Sequence, residues 1–456
     1  MTTLGSAELQ VDADWLAQRL PGSTAKALGS GLTRLIDGGD LVPGAQLPTI
    51  RDFARAAGVS PGTVMSAWSR VRDSGRLETR RRGGTVVADL RPAGVPSGRT
   101  PVWADVEMST VTPDPALQPD LASALVQALT TPELHTAERA YITPRLLRCV
   151  QSSWPFPAQA WNCAGGGTEA VVLATAAAAA GGRIAVEEPV SPGYLGILRE
   201  LGIEPVGVQA DEEGPTPASV AAVLTSGVSA LMLQPSGAYA LRGRLSAQRA
   251  AQLAALITER APATWIIEDD SAGPLTGDEP ATLGVHLPAQ VLRIRSYCKA
   301  FGIDVRTAVL GGSAELVERT IRLRSFGMAS NSRILQNALA VLIEDEATAE
   351  AMRRVRIVYG HRREAALAAF ARAGLSATAS GDGFVVWVQV PDETSALINL
   401  ARQGLVVAAG AKSFVSAPRG FLRISVLQLP DDADQVDGLA VAVRAAVHSA
   451  EREYFD

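Results

Sequence analysis

From Leu121 onward, helix-length segments alternate with short β-branched runs, among them Arg183–Val186, Ala230–Leu233, Thr264–Ile267 and Val291–Ile294. Each run ends in polar or Gly-rich residues and precedes a stretch long enough for a crossover helix. Parallel strands need such crossovers, and the helices then cover both faces of the sheet. The alternation therefore predicts an α/β domain with a mostly parallel sheet. A chain of 456 residues has room for two or three domains. With 47% hydrophobic and 20% charged residues, a mainly disordered chain is excluded. No repeat of solenoid length is evident.

Charge divides the chain unevenly. The whole carries a formal net charge of −5, which argues against a protein that coats nucleic acid throughout. Yet Ala13–Ala88 holds eleven Arg or Lys against six Asp or Glu, a surplus of five, which leaves about −10 on the remainder. A small basic head on an acidic body predicts that only the head meets a polyanion. Between them the sequence is proline-rich: Pro92, Pro96, Pro113 and Pro115 interrupt helix and sheet alike. The expected organisation is a DNA-binding head at 13–88, an extended linker at 89–118 and a body at 119–456.

Other features narrow the chemistry. Three cysteines and four histidines lie far apart, without the spacing of a zinc site or disulfide framework. Sparse, odd cysteine fits a reducing cytoplasm. Neither a signal peptide nor a membrane span is expected, because the longest apolar stretch, Ala170–Ala180, is short and alanine-rich. Only Lys26, Lys299 and Lys412 are lysines. Arginine has displaced lysine elsewhere, as a GC-rich genome would produce, so a lysine kept in an apolar setting needs an explanation.

In the head, Thr49–Ala57 reads as a short amphipathic helix, Gly58-Val59-Ser60 as a turn, and Ser60 as the cap of a second helix reaching about Ser74. Val64, Ala67, Trp68 and Val71 recur at helical spacing and predict a core-facing stripe. Helix, tight turn and second helix form the helix-turn-helix plan, in which the second helix enters the major groove. Arg80-Arg81-Arg82-Gly83-Gly84 then predicts a basic hairpin able to lie along a groove as a wing. Leu41–Arg51, Gly58–Val64 and Gly75–Glu78 resemble the winged helix of GntR-type bacterial regulators. That resemblance implies double-stranded operator DNA as a partner, contacted by Arg51, Ser60, Gly62, Thr63, Arg80, Arg81, Arg82 and Gly84.

In the body, Lys299 follows an apolar strand and a small-residue turn, at the carboxyl end of the sheet where α/β folds bind ligands. An amine shielded from water there suits Schiff-base formation. Ser296 and Arg306 flank it as phosphate ligands. Asp269 ends another strand, where a carboxylate pairs with a pyridinium nitrogen. Ala164–Glu169 opens the Ala-rich helix, and its amides, those of Gly167 and Thr168 included, form an anion cradle. This set resembles the fold-type I aminotransferases, and with the winged helix in front the chain resembles the MocR-type regulators of the GntR superfamily. The resemblance implies pyridoxal 5'-phosphate as cofactor, with Lys299 as its Schiff-base lysine, Asp269 as pyridinium partner, and Ser296 and Arg306 on the phosphate. It further implies Arg423 as the grip for the carboxylate of an amino-compound effector, and a homodimer.

The residues around the ring depart from that family. Ser271 stands where a Tyr or His is usual, Ser191 where an aromatic stacks on the ring, and Tyr239-Ala240-Leu241-Arg242 replaces the Asn-Pro-Thr-Gly-like motif. Losing a stacking face and a hydrogen bond costs about 1 kcal/mol each. The expectation is thus a cytoplasmic regulator that is not an efficient enzyme, binds pyridoxal phosphate and senses an amino compound that displaces Lys299 from it. Two other readings stay open here: an active aminotransferase with an accessory head, and a regulator whose sensing domain needs no cofactor.

Overall fold

The computed structural model describes residues 10–449 except 21, 38–39, 42–43, 74–75, 81–83, 89–102, 104–105, 133, 137–139, 180–181, 326–329 and 417–419. They divide into two compact units: residues up to 101 with 402–404, and 102–401 with 405 onward.

The first unit contains helices α1 (Ala13–Arg19), α2 (Ala25–Asp37), α3 (Ile50–Ala56) and α4 (Pro61–Asp73), then strands β1 (Leu77–Arg80) and β2 (Gly84–Val87). Thr49 caps α3, its hydroxyl accepting the Asp52 N–H at 3.2 Å. The end of α3 is fixed by two backbone bonds, Gly58 N to Arg55 O (3.4 Å) and Val59 N to Ala54 O (3.0 Å). That pairing needs a left-handed residue, supplied by Gly58 at φ +64°. Two residues on, the Ser60 hydroxyl accepts the Thr63 N–H at 3.1 Å and starts α4. The turn between the helices thus follows from three local side-chain choices.

Val64, Ala67, Trp68 and Val71 are all buried, as their spacing predicts, against Phe53 and Ala54 of α3 and the leucines of α1 and α2. The Phe53 and Trp68 rings meet with centroids 4.9 Å apart. β1 and β2 pair antiparallel from Leu77↔Val87 to Arg80↔Gly84, and Gln46 bridges to Val86 beside them.

The second unit is built on an eight-stranded sheet in the order β3-β10-β9-β8-β7-β4-β5-β6. Its strands are β3 (Ala160–Ala164), β4 (Arg183–Glu188), β5 (Glu204–Asp211), β6 (Gly214–Pro215), β7 (Ala230–Leu233), β8 (Trp265–Asp270), β9 (Val291–Ser296) and β10 (Ala308–Gly312). β5, β4, β7, β8 and β9 run parallel, and β10 is antiparallel to both β9 and β3. The carboxyl ends of β3, β4, β7, β8 and β9 therefore share one edge. Side chains alternate between two apolar layers: Ile266 packs in one and Ile267 in the other.

One polar system is buried on a face of this sheet. Glu268 and Asp270 on β8 pair with Arg293 and Arg295 on β9, their neighbours in register, with Glu279 closing the network. Four charged groups survive there because each has a partner of opposite sign.

A four-stranded antiparallel sheet follows: β11 (Ala377–Thr378), β12 (Val385–Gln389), β13 (Ala408–Ala409) and β14 (Phe421–Ser425), in the order β11-β12-β14-β13. The stretch expected to be linker, 89–118, differs from an extended tether in its second half. Met108 is buried, bridges to Val407 and accepts the Ser425 N–H at 2.9 Å. Asp114 pairs with Arg362 at 2.9 Å. The segment forms one short 3-10 helix, Pro115–Leu117, and apolar Met108 and ion-paired Asp114 tie it to this unit. Residues 89–102 lie outside the described residues.

Candidate functional site

Five chain segments leave the shared sheet edge and line one cavity of about 600 Å³. β3 delivers Gly165–Glu169, β4 leads to Ser191 and Tyr194, β7 to Tyr239, β8 to Ser271, and β9 to Ser296, Cys298 and Lys299. Arg306, just before β10, completes the wall. Lys299, Ser296, Arg306, Gly167 and Thr168, expected to act together, are thus brought together, and Ser191, Tyr239 and Ser271 stand in the same wall.

Local structure aims each group. Gly167 begins the helix Gly167–Ala179, so free amides point out of its first turn toward the cavity. Ser296 lies so close that a Cβ on Gly167 would sit 3.2 Å from its hydroxyl. Arg306 has a left-handed backbone at φ 42°, ψ 41°, uncommon for an arginine. Its side chain nevertheless reaches the cavity. Lys299 lies on the short helix Cys298–Phe301, with Nζ 5.4 Å from the centre of the Phe384 ring.

Asp269 lies fully buried at the end of β8, and neither of its carboxylate oxygens has a hydrogen-bond partner. Burial pushes its pKa up to about 7; the Lys299 charge and the Tyr194 phenol draw it back, and Asp270 adds to the rise. Glu187, buried on β4, is also pushed up to about 7 by burial, against the Gln234 N–H it accepts at 2.7 Å. A desolvated carboxylate with only the Tyr194 phenol nearby, and no donor in full hydrogen-bond geometry, is costly. A ligand bringing an N–H to Asp269 would remove that cost.

These residues fit pyridoxal phosphate: an orphaned carboxylate for the ring nitrogen, a primary amine, and amides, hydroxyl and guanidinium for the phosphate. Tyr194 and Tyr239, rather than Ser191, supply aromatic surface in the wall. The Ser271 hydroxyl is buried without a partner.

Arg423 departs from expectation. It lies on β14, buried and outside the cavity lining, and donates Nη2 to Ser109 O at 2.7 Å. The cause is the 106–110 segment, whose packing on β14 supplies that carbonyl. Its Nε has no partner, burial lowers its pKa, and the Tyr239 phenol acts on it electrostatically. Glu169 and Arg324 were given no role by the sequence. The signal available was the position of Glu169 in the first turn of the cradle helix.

In the smaller unit, Arg51, Ser60, Gly62 and Gly84 are exposed and Thr63 is half-buried, its hydroxyl 2.8 Å from that of Ser60. Arg80 ends β1, and Arg81 and Arg82 lie outside the described residues.

Comparison with known proteins matches both units. Residues 24–87 match the model of the bacterial regulatory proteins of the gntR family, and residues 271–436 that of aminotransferase class I and II. The vitamin B6 salvage pathway transcriptional repressor PtsJ of Salmonella typhimurium is 27% identical over 94% of this chain and 100% of its own length. The chain thus joins a GntR-type helix-turn-helix domain to an aminotransferase class I and II domain, the arrangement of the MocR-type regulators it resembles. Its two matched domains are those of a DNA-binding transcription regulator with an aminotransferase-like domain.

The chain is also 28% identical to the HTH-type pyridoxine biosynthesis transcriptional regulator PdxR of Corynebacterium glutamicum, over 75% of this chain and 78% of that one. Among solved structures, the α-aminoadipate aminotransferase LysN of Thermus thermophilus shares the fold at a TM-score of 0.66 and 20% identity, over 75% of this chain and 91% of that one. No helix among the described residues is long and apolar enough to cross a membrane.

Proposed function

We propose that this chain is a MocR-type regulator that binds pyridoxal phosphate in the cavity around Lys299 and uses it to sense an amino compound. The observation that carries the reading is the unpartnered, buried Asp269 carboxylate behind a cavity that also presents Lys299, Arg306 and a helix N-terminus. Pyridoxal phosphate, when bound, supplies an aldehyde that condenses with amines. Lys299 would hold the group through its amine, and the amine of an effector would compete with it for the same aldehyde. Asp269 accepts the ring N–H and, once so paired, is held ionised. Ser296, Arg306 and the amides of Gly167 and Thr168 take the phosphate. Tyr239 lines the cavity, and Arg423 grips the effector carboxylate, for which its guanidinium has to turn from Ser109 O.

The exposed residues Arg51, Ser60 and Gly62, with Thr63 and the basic stretch Arg80, Arg81, Arg82 and Gly84, contact operator DNA. The protein acts in the cytoplasm as a homodimer, and effector binding shifts the pair between two arrangements of different operator affinity. The reading is regulatory and not that of an efficient transaminase, because Ser191, Tyr239 and Ser271 alter the ring surroundings.

The test is a spectrum of the full-length protein titrated with pyridoxal phosphate. A visible band that borohydride bleaches, absent from Lys299→Ala, is expected. Absence of that band from the wild type, or its persistence in Lys299→Ala, overturns the reading.

A further inference from the structure

The anion cradle already holds an anion. Glu169 is the third residue of the helix Gly167–Ala179 and lines the cavity beside Thr168 and Arg306. Its Oε2 accepts the Gly165 N–H at 2.5 Å, and its Oε1 lies 3.3 Å from Arg324 Nε. Arg324 is anchored in turn, donating Nη1 to Cys163 O at 3.1 Å. The backbone is shaped around this carboxylate: a Cβ on Gly165 would stand 2.7 Å from Oε2. Arg324 is outside the cavity lining, so the cavity meets the carboxylate and its counter-charge lies behind it.

We propose that Glu169 is a selectivity residue of the cradle: its fixed negative charge opposes a phosphate dianion, and Arg324 sets how strongly. The proposal rests on the reading of the cavity as a pyridoxal phosphate site. Two opposing influences meet in this corner. The helix N-terminus and Arg306 attract the phosphate, while the partly exposed Glu169 charge, a lining residue of the same cavity, repels it with an energy that added salt screens. Arg324 offsets part of that repulsion. The cradle therefore discriminates less between phosphorylated and unphosphorylated pyridoxal than a cradle without the carboxylate, which keeps the bound molecule exchangeable. A residue that merely caps the helix by reaching back to an amide would affect both ligands alike.

The experiment compares pyridoxal phosphate and pyridoxal binding to full-length wild type, Glu169→Gln and Arg324→Gln by equilibrium titration. Glu169→Gln keeps an acceptor for the Gly165 N–H but removes the charge. It should tighten pyridoxal phosphate about tenfold, roughly 1.4 kcal/mol, with pyridoxal unchanged. Arg324→Gln should loosen pyridoxal phosphate by a similar factor and again leave pyridoxal unchanged. Circular dichroism reports folding, and the arginine variant carries the test if the glutamate variant does not fold. Equal effects on both ligands, or none, overturn the proposal. If Lys299→Ala abolishes wild-type binding while the ratio stays fixed in both variants, only this proposal fails. If no variant binds pyridoxal phosphate, it and the reading beneath it fail together.

Discussion

Asp269 and Asp270 are chain neighbours on β8 that face opposite sides of the sheet and differ in their partners. Asp270 meets two guanidiniums, Arg293 at 3.0 Å and Arg295 at 2.6 Å. Asp269 has no hydrogen-bond partner for either oxygen. The period of two along a strand produces this contrast, and it separates a carboxylate that supports the fold from one reserved for a ligand.

Asp269→Asn should therefore stabilise the ligand-free protein. Burial lifts the Asp269 pKa to about 7 in the folded state, against about 3.9 unfolded. A raised carboxyl contributes stability that is complete below about pH 4 and is lost as pH rises through 7. The advantage of the variant should thus grow between pH 4 and 7, level off above, and be on the order of 1–4 kcal/mol. Urea unfolding of both proteins at pH 5 and 8 measures it. An equal difference at the two pH values would show that the carboxylate is not the cause. The same variant should lose pyridoxal phosphate affinity, which no general stabilisation explains.

Asp270→Asn should do the reverse. Burial alone would raise this carboxyl, but Arg293 and Arg295 outweigh it and hold the pKa below the ordinary value. Its stabilisation is present above about pH 4 and fades as pH falls through the lowered folded value. Removing the charge leaves two buried guanidiniums short of a partner, at a cost of about 3–5 kcal/mol. The midpoint of chemical denaturation at pH 7 reads this directly; a shift smaller than that from an exposed control such as Asp304→Asn would refute it.

Much of this site could be read from the chain because its determinants are local. Val291–Ile294 marks β9 by composition, and the turn after it places Lys299 at the strand end wherever β9 sits. Gly58 and Ser60 likewise fix the helix-turn-helix within a few residues. What the sequence hides is set by long-range packing. Arg423 carries a recognisable motif, yet Ser109, 314 positions away, accepts one of its donors. Nor does spacing reveal that Glu169 turns back onto Gly165 and meets Arg324.

Arg306→Gly should separate stability from ligand affinity. The left-handed backbone at φ 42° is unfavourable for arginine by about 1 kcal/mol and free for glycine. The folded protein should lose no stability beyond the backbone entropy glycine adds. Pyridoxal phosphate affinity should fall about tenfold or more, since a charged donor is lost from the phosphate corner. Thermal unfolding and a titration with pyridoxal phosphate on one preparation check both halves. Affinity preserved alongside stability would remove Arg306 from the site.

Arg51→Ala should weaken operator binding through charge alone. Arg51 lies exposed in the first turn of α3, just after the Thr49 cap, so it contributes nothing to the Phe53–Trp68 core. Each phosphate contact releases counterions, and the slope of log affinity against log salt falls by about 0.9 per contact. The variant, measured on a duplex selected by this protein from a random pool, should bind more weakly at low salt. Its salt slope should be shallower by about one. Gly58→Ala offers the contrast: it forces a side chain into a left-handed turn and should cost about 1–2 kcal/mol of head stability. Below its melting temperature, however, its salt slope should stay that of the wild type. An Arg51→Ala slope identical to wild type would place that arginine away from the phosphates.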